Sequence, residues 1–560
     1  MLMMRKLAGF LRLLAAWSAC GGLISCGAGA AAIGAGGAGS TKPATTGGAA
    51  AMTEGAPREP LEWAALDAAT FARAKAERRF IVMDGAAEWC HWCHVMEATT
   101  YHDPAVAQIL RERFIAVKVD VDARPDIEER YVDYGWPATV IFSPDGEELG
   151  KFKGFIEPDR FVEILRAVAS GPARPANAAN APTGEVERVS TSPLSEEHLA
   201  WIARLTELEL DEYYDKEQGG FGHTQKAPLS WDNAYELEHA RDRALFTLAQ
   251  QRGVFDPVWG GVYQYSASTD WNHPHFEKLM TVQAGAIDNY AAAYALTKDT
   301  QWLANARSIA GYVDGFMKSA AGGFYTTQDA DLNAHERDKK FVDGHVYYAL
   351  GDKERRALGV PRIDMHEYGK ENGLVIAAYA TLYQATGDAS VLATAERAAA
   401  RIVATHATSR GGLSHDARGE AEARVLFLAD NAAMAWGFVR LYEATKRVAH
   451  LEAARRLVAF MQKELGDAAG GGFFGATADP NAVGVFAIRR KPFEDNVLAA
   501  RVMARIARAT HERSPASDDA EYRAAIAGTL RAVATPDQIK ARGRMLGDFL
   551  LALEETKGVR

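Results

Sequence analysis

Cysteine is scarce in this sequence. The 560 residues hold four, and none follows Cys93. That excludes a fold stapled by a disulfide framework. Positive charge is also in short supply: 63 Lys and Arg stand against 73 Asp and Glu, a net charge of −10. A nucleic-acid binder normally shows a basic face, so nucleic acid is not an expected partner. No apolar run near the start is long and clean enough to span a bilayer, because Arg12 interrupts it. Apolar residues still make up 48% of the chain, ample for a large core divided among domains. The few cysteines are not scattered. Cys20 and Cys26 lie near the start, and Cys90 and Cys93 form one CxxC.

The N-terminus has signal-peptide anatomy. Arg5 and Lys6 precede an apolar stretch. Leu23-Ile24-Ser25-Cys26 resembles a bacterial lipobox, whose cysteine becomes the lipid-modified first residue of the mature chain. On this reading residues 1–26 are the signal, Cys20 is discarded and Cys26 carries the lipid. A plain secretory signal with incidental cysteines is the alternative. Gly27 follows Cys26. In a Gram-negative source the lack of Asp there favours an exported cell-envelope lipoprotein of the outer membrane, facing the periplasm. Residues 27–59 are mostly Gly, Ala, Thr, Ser and Pro and lack the large apolar residues needed to fold. They read as a flexible tether with an r.m.s. span of roughly 30 Å. A second break at 171–193, rich in Pro and Ala, marks a linker between two folded domains.

Residues 60–170 read as α-β-α-β-β-β-α. Helical periodicity through Trp63, Leu66, Phe71 and Ala74 leads to a short apolar strand, Phe80 to Met83, and then to Trp89-Cys90-His91-Trp92-Cys93-His94 ahead of a helix. Phe114 to Asp120 reads as a buried strand, and Gly135-Trp136-Pro137 precedes another. Ser143-Pro144-Asp145-Gly146 is a hairpin turn. This order, with CxxC between a strand and a helix, resembles thioredoxin, and Pro137 matches that fold's cis-proline. Cys90 then sits at a helix N-terminus, where free N–H groups favour a thiolate. Cys93 is placed to resolve a mixed disulfide on Cys90. His91 supports the thiolate, and Trp89 and Trp92 shape an apolar rim. The expected cofactor is no more than the Cys90–Cys93 redox disulfide, and no metal is assigned. Three alternatives stay open: CxxCH as a haem attachment motif, a zinc site of Cys90, Cys93, His94 and His102, and a permanently closed structural disulfide.

Residues 194–560 show internal self-similarity. Gly-Gly pairs recur at 219, 260, 322, 411 and 471, each followed by an apolar residue, and Tyr294, Tyr383 and Tyr442 mark similar helix ends. Eleven Ala- and Leu-rich helical patterns lie between these marks. A unit of about 60 residues accommodates two helices and their loops. Eleven is close to the twelve helices of a closed (α/α)6 toroid; an open solenoid is the alternative. Polar residues gather after the Gly-Gly turns. His273, His275, Glu277, Asp329, Asp331 and Asp430 are candidates for a toroid pocket, with His275 and Glu277 foremost for acid–base work on a saccharide. The plainer account makes Asp430 and Asp495 helix N-caps, lets Asp329 and Asp331 hold a loop, and has His275 satisfy a buried turn. The charged excursion 331–343 reads as an exposed, solvated loop or hairpin rather than a binding site.

These motifs together resemble the YyaL / spermatogenesis-associated protein 20 family. The resemblance rests on Trp89 to Glu97, Val117 to Asp120, Arg124 to Ile127 and Gly135-Trp136-Pro137. In the second half it rests on Gly220-Phe221-Gly222, Pro274 to Lys278, Gly322 to Tyr325 and Asp329-Ala330-Asp331. It implies a thioredoxin-like domain joined to a six-hairpin toroid, a multidomain α/β plus all-α architecture. The family's reaction is not settled, so the resemblance assigns no catalytic residue to the toroid. The chain departs from the family in its lipoprotein start, in a shorter segment before Trp136, and in the plain hairpin after Gly146. The expected function is membrane-tethered thiol–disulfide exchange with protein thiols, disulfides or a redox partner. A carbohydrate-active toroid with an accessory thioredoxin domain and a protein-binding scaffold are the alternatives.

Overall fold

A computed structural model describes residues 61–170, 195–336, 338–417, 424–513 and 520–560. The signal, the tether, Cys26 and the 171–193 linker lie outside the described residues.

The first folded region contains α1 (Ala68–Glu77), β1 (Phe80–Ala86), α2 (His91–Ala98), α3 (Pro104–Arg113), β2 (Phe114–Asp120), α4 (Pro125–Tyr131), β3 (Ala138–Phe142), β4 (Glu148–Lys153) and α5 (Pro158–Ser170). The sheet order is β2-β1-β3-β4. β1 pairs parallel with β2 and antiparallel with β3, and β3 pairs antiparallel with β4. This is a thioredoxin-like sheet. β1 is buried beyond its first residue and β3 throughout, which suits their continuous apolar runs. Two expectations need correction. α1 starts at Ala68, capped by Asp67, so Trp63 lies before it and packs edge-on to Tyr101. α4 was not anticipated: its seven residues are few for a periodic pattern, although Pro125 opens it at a position proline favours.

The second region contains α6 (Glu196–Tyr213), α7 (Ser230–His239), α8 (Arg241–Gln250), α9 (Met280–Thr297), α10 (Thr300–Tyr312), α11 (Gly344–Tyr348), α12 (Asp352–Leu358), α13 (Gly369–Thr386), α14 (Ala389–His406), α15 (Leu428–Thr445), α16 (Val448–Phe460), α17 (Phe493–Arg513), α18 (Ala520–Val533), α19 (Pro536–Arg542) and α20 (Gly547–Thr556). Six of these pack successively around a ring: α7, α9, α13, α15, α17 and α20, with α20 returning to α7. Each has an outer partner: α8, α10, α14, α16, α18 and α6 respectively. Among the described residues the ring is therefore closed, with twelve helices in six hairpins. The eleven-helix reading falls short because the pattern over 232–250, read as one helix, is two, α7 and α8, broken at Ala240. Inner helices are buried around most of their circumference, as α15 shows from Leu428 to Tyr442. Outer helices bury one stripe, as in Leu392, Ala395, Ala399 and Ile402 of α14.

The repeats have a physical reason. In the Gly471-Gly472 turn both glycines have positive φ, +71° and +70°. Asn496 of α17 then clamps the next residue: Phe473 N–H donates to its Oδ1 at 2.7 Å, and its Nδ2 donates to Phe473 O at 2.9 Å. Asn372 does the same for Phe324, and Asn431 for Leu413. Each clamp follows an acid, giving Glu371-Asn372, Asp430-Asn431 and Asp495-Asn496 at equivalent places in the ring. Asp430 and Asp495 are thus not N-caps. Each is the third residue of its helix, and Phe427 caps α15.

Candidate functional site

Cys90 is the N-cap of α2, and its sulfur accepts the Cys93 N–H at 3.1 Å. The two cysteines are joined as a disulfide. Both are buried, within the same apolar cluster as Trp89, Ala138 and Val485. The Trp136–Pro137 peptide is cis. Antiparallel pairing of Gly85 with Ala138 brings the start of β3, and so Pro137, beside the end of β1 from which the CxxC loop leaves. Trp89 donates its indole N–H to Asp122 at 2.7 Å. Trp92 is 44% exposed and packs against Phe155, leaving an aromatic edge in solvent.

The ring region supplies the rest of the site. His91 Nδ1 lies 2.7 Å from Asp331 Oδ2, and the other Asp331 oxygen accepts the Gly344 N–H at 2.8 Å. Asp331 is fully buried. Its hydrogen bond to His91 raises the imidazole pKa against the cost of burial. Burial opposes the charge on Asp331, but His91 and His94 outweigh it and hold the carboxyl well below the usual range. His94 and His335 lie edge to face, and both direct Nε2 at the Glu88 carbonyl, at 3.0 and 2.8 Å. Asp329 is 3.2 Å from His335 Nε2. Arg362 reaches the Glu88 carboxylate at 2.7 Å.

The hairpin expected over 331–343 is exposed at 335, 336 and 338–341, so the correction concerns its base alone. Leu332 pairs with Val342 in a hairpin-like bridge, but Asp331 at its base is buried against the redox helix. The base of the excursion looked solvated because the partner of Asp331 lies in the other region.

The six polar candidates of the ring do not share one pocket. Asp329 and Asp331 meet the CxxC helix. Glu277 is buried with one oxygen lacking a hydrogen-bond partner, and His275 stacks on Tyr265 with Nδ1 3.8 Å from Glu277. His273 is exposed and bonds Asp270. Asp430 sits elsewhere: it accepts from His415 Nδ1 and from the Lys370 N–H, each at 2.9 Å. His415 stacks on Tyr368 and uses Nε2 to meet the Asp122 carbonyl at 2.7 Å. Burial works against charge on His415, but Asp430 prevails and its pKa is pushed up to about 9.

Further contacts dock the two regions. Lys370 pairs with Glu128 of α4, and Arg490 with Glu129. Val485 N–H donates to Gly146 O at 3.0 Å, and Phe486 packs on Phe71 and Phe142. A cavity of about 650 Å³ opens between α1, α4 and the ring loops, lined by Arg124, Glu129, His415, Arg424 and Asp495 among others. A second cavity of about 90 Å³ among the inner helices also reaches Asp495. Burial pushes Asp495 up to about 7. Glu371, buried nearby, was missed in sequence; the repeated acid–Asn pair was the signal that could have found it.

Among the described residues, no helix is long and apolar enough to cross a membrane.

Comparison with known proteins agrees with the first region's fold. A family model described as Thioredox_DsbH, protein of unknown function, DUF255, matches residues 51–169. Spermatogenesis-associated protein 20 of Homo sapiens is 29% identical over 334 residues, 53% of this chain and 42% of that protein. The chain thus spans less than half the length of that relative. Thiol:disulfide interchange protein DsbD 1 of Pseudomonas aeruginosa is 32% identical over 127 residues, 21% of each chain. Among solved structures, a D-mannose isomerase aligns with TM-score 0.48 at 10% identity, over 65% of this chain and 98% of that one. A sugar epimerase from a ruminal bacterium gives 0.47 at 14% identity, over 64% and 100%. Residues 51–169 carry a domain of the DUF255 family, and the chain is similar over about half its length to spermatogenesis-associated protein 20.

Proposed function

We propose that this protein is a thiol–disulfide oxidoreductase tethered to the cell envelope by lipid on Cys26. The observation that carries the redox reading is the Cys90–Cys93 pair capping α2, with the Cys93 N–H directed at Cys90 Sγ and His91 held by Asp331. Its substrates are protein thiols and disulfides or a redox partner.

In the reducing direction, the Cys90 thiolate attacks one sulfur of a client disulfide. A Cys90–client disulfide forms, and the client's other sulfur leaves as a thiolate. Cys93 gives up its proton and attacks Cys90 Sγ. The mixed disulfide breaks and the second client thiol departs. The client gains two electrons and two protons, and the cysteine pair is oxidised. Run backwards, the same steps oxidise a client dithiol. The Cys93 N–H and the helix N-terminus stabilise the Cys90 thiolate in either direction. Protonated His91 adds positive charge on the first residue of the same helix.

Insulin reduction by the wild type against Cys90→Ser tests the redox reading. Activity is expected to vanish in the variant, and equal rates would sink the proposal. Trapping with Cys93→Ala is expected to recover mixed disulfides with client proteins. The anchor reading rests on the lipobox-like sequence, and Cys26→Ala should move the protein from the membrane to the soluble fraction.

The cavity of about 650 Å³ favours a second reading, a saccharide-binding ring, because its volume suits a small organic ligand and the Asp495 carboxyl is part of its lining. Saccharides should then raise the melting temperature of wild type but not of Asp495→Asn. No shift with any saccharide would remove this reading.

A further inference from the structure

Three side chains and one carbonyl converge beside the cysteine helix without thiol participation. His94 and the Glu88 carbonyl come from the thioredoxin-like region, and Asp329 and His335 from the ring. Asp329 Oδ2 is 3.7 Å from His94 Nε2 and 3.2 Å from His335 Nε2. Glu88 O is 3.0 and 2.8 Å from the same two nitrogens. A tetrahedral zinc ion with bonds of about 2.0–2.1 Å has ligand-to-ligand edges of about 3.3 Å. The four separations bracket that edge.

We propose that His94, Asp329 and His335 bind one Zn2+ ion, which joins the redox helix to the ring hairpin. Two observations besides spacing support this. Asp329 Oδ2 is buried and makes no hydrogen bond of acceptable geometry, although both imidazoles face it. A buried carboxylate oxygen in that position calls for a positive partner. The other His94 nitrogen, Nδ1, is also buried without a hydrogen bond, and its nearest carboxylate is Asp331 Oδ2 at 3.6 Å. A carboxylate behind the distal nitrogen of a ligating histidine is the usual outer-shell arrangement. Two imidazoles and one carboxylate suit zinc better than calcium or magnesium, which prefer oxygen alone. Glu88 O either completes the tetrahedron or leaves that corner to water. Only His94 is shared with the zinc set that the sequence left open as an alternative. Cys90 and Cys93 bond each other, and His102 turns to the Glu97 carbonyl.

The site is independent of the exchange reading, and oxidised protein separates the two. Full-length oxidised protein, stripped with chelator, is titrated with Zn2+ against a chromophoric competitor. About one equivalent is expected per chain, equally in a Cys90→Ser/Cys93→Ser double variant, which abolishes exchange, and in His102→Ala. His335→Ala and Asp329→Asn should weaken binding about a hundredfold or more. Their melting temperatures in chelator, compared with wild type, separate lost ligands from a lost fold. Cobalt bound to the oxidised wild type gives a second readout that needs no variant. Tetrahedral d–d bands without a sulfur charge-transfer band are expected. No zinc in the wild type, binding that needs the thiols, or binding untouched in a folded His335→Ala would overturn the proposal.

Discussion

His91 and Asp331 are 240 positions apart in sequence, yet His91 Nδ1 and Asp331 Oδ2 lie 2.7 Å apart beside the cysteine pair. The second domain thus orients the one residue between Cys90 and Trp92 and favours its charged form. Asp331→Asn keeps the shape but removes the charge that favours imidazolium. Alkylation of reduced Cys90 at neutral pH is expected to slow by about tenfold, because less of the thiol is ionised. Asp343→Asn nearby should change the rate much less, since its link to His91 is only a longer-range charge interaction. Iodoacetamide kinetics across a pH series check this, and superimposable profiles for wild type and Asp331→Asn would refute it.

What was readable in the sequence divides along the same line. Cys90, Cys93 and Pro137 announce themselves because a strand, a helix start and a proline are local patterns. The Gly-Gly turns are readable because positive φ at successive positions demands glycine, as at Gly471 and Gly472. Asp331 stood out as a polar candidate after a Gly-Gly turn, but nothing local marked it as the partner of His91. A buried acid in a charged excursion looks like any solvated loop until its partner from another domain is in place. Glu371 was hidden for a different reason: its signal is a two-residue repeat, acid then Asn, that means little without the clamp made by Asn372.

A second link between the regions titrates above neutrality. His415 is held at about 9 by Asp430, above an ordinary value of 6.5. A raised imidazole pKa contributes stability that is fully present below 6.5 and is lost as pH rises through 9. The contribution is about 3 kcal/mol. Urea unfolding of wild type should therefore show stability falling across that window. Asp430→Asn should flatten the slope; an unchanged slope would show that the pair does not govern it.

Asp84 in the middle of β1 gives the same direction of pH dependence, but through a burial penalty rather than a stabilising pair. It is buried, one oxygen lacks a hydrogen-bond partner, and burial pushes it up from 3.8 to about 7 despite nearby Lys118. Ionising it costs the folded state more than the unfolded one. Its penalty is absent below 3.8 and grows as pH rises to about 7. The slope is at most about 1.4 kcal/mol per pH unit. Asp84→Asn, nearly isosteric, is expected to gain stability over wild type from pH 4 towards pH 8. Chemical denaturation at several pH values measures it, and a constant difference between the two proteins would reject the assignment.

The docking of the two regions can be loosened at one backbone contact. Gly484 in the ring has φ +56° and lies against Gly146 of the β3–β4 turn, where a Cβ would overlap the Gly146 carbonyl. Gly387 has φ +73° but open space around it. Alanine at both sites imposes similar left-handed backbone strain, about 1 kcal/mol. Only Gly484→Ala adds the steric clash, roughly 1–3 kcal/mol more. It should also displace the Val485 N–H from Gly146 O and lift Phe486 from Phe71 and Phe142. The measurement is thermal melting with limited proteolysis. Gly387→Ala should lower the melting temperature slightly and leave the cleavage rate alone. Gly484→Ala should lower it further and speed cleavage between the regions. Equal behaviour would mean that this contact does not hold them together, leaving His415, Lys370 and the Asp331 hairpin to do so.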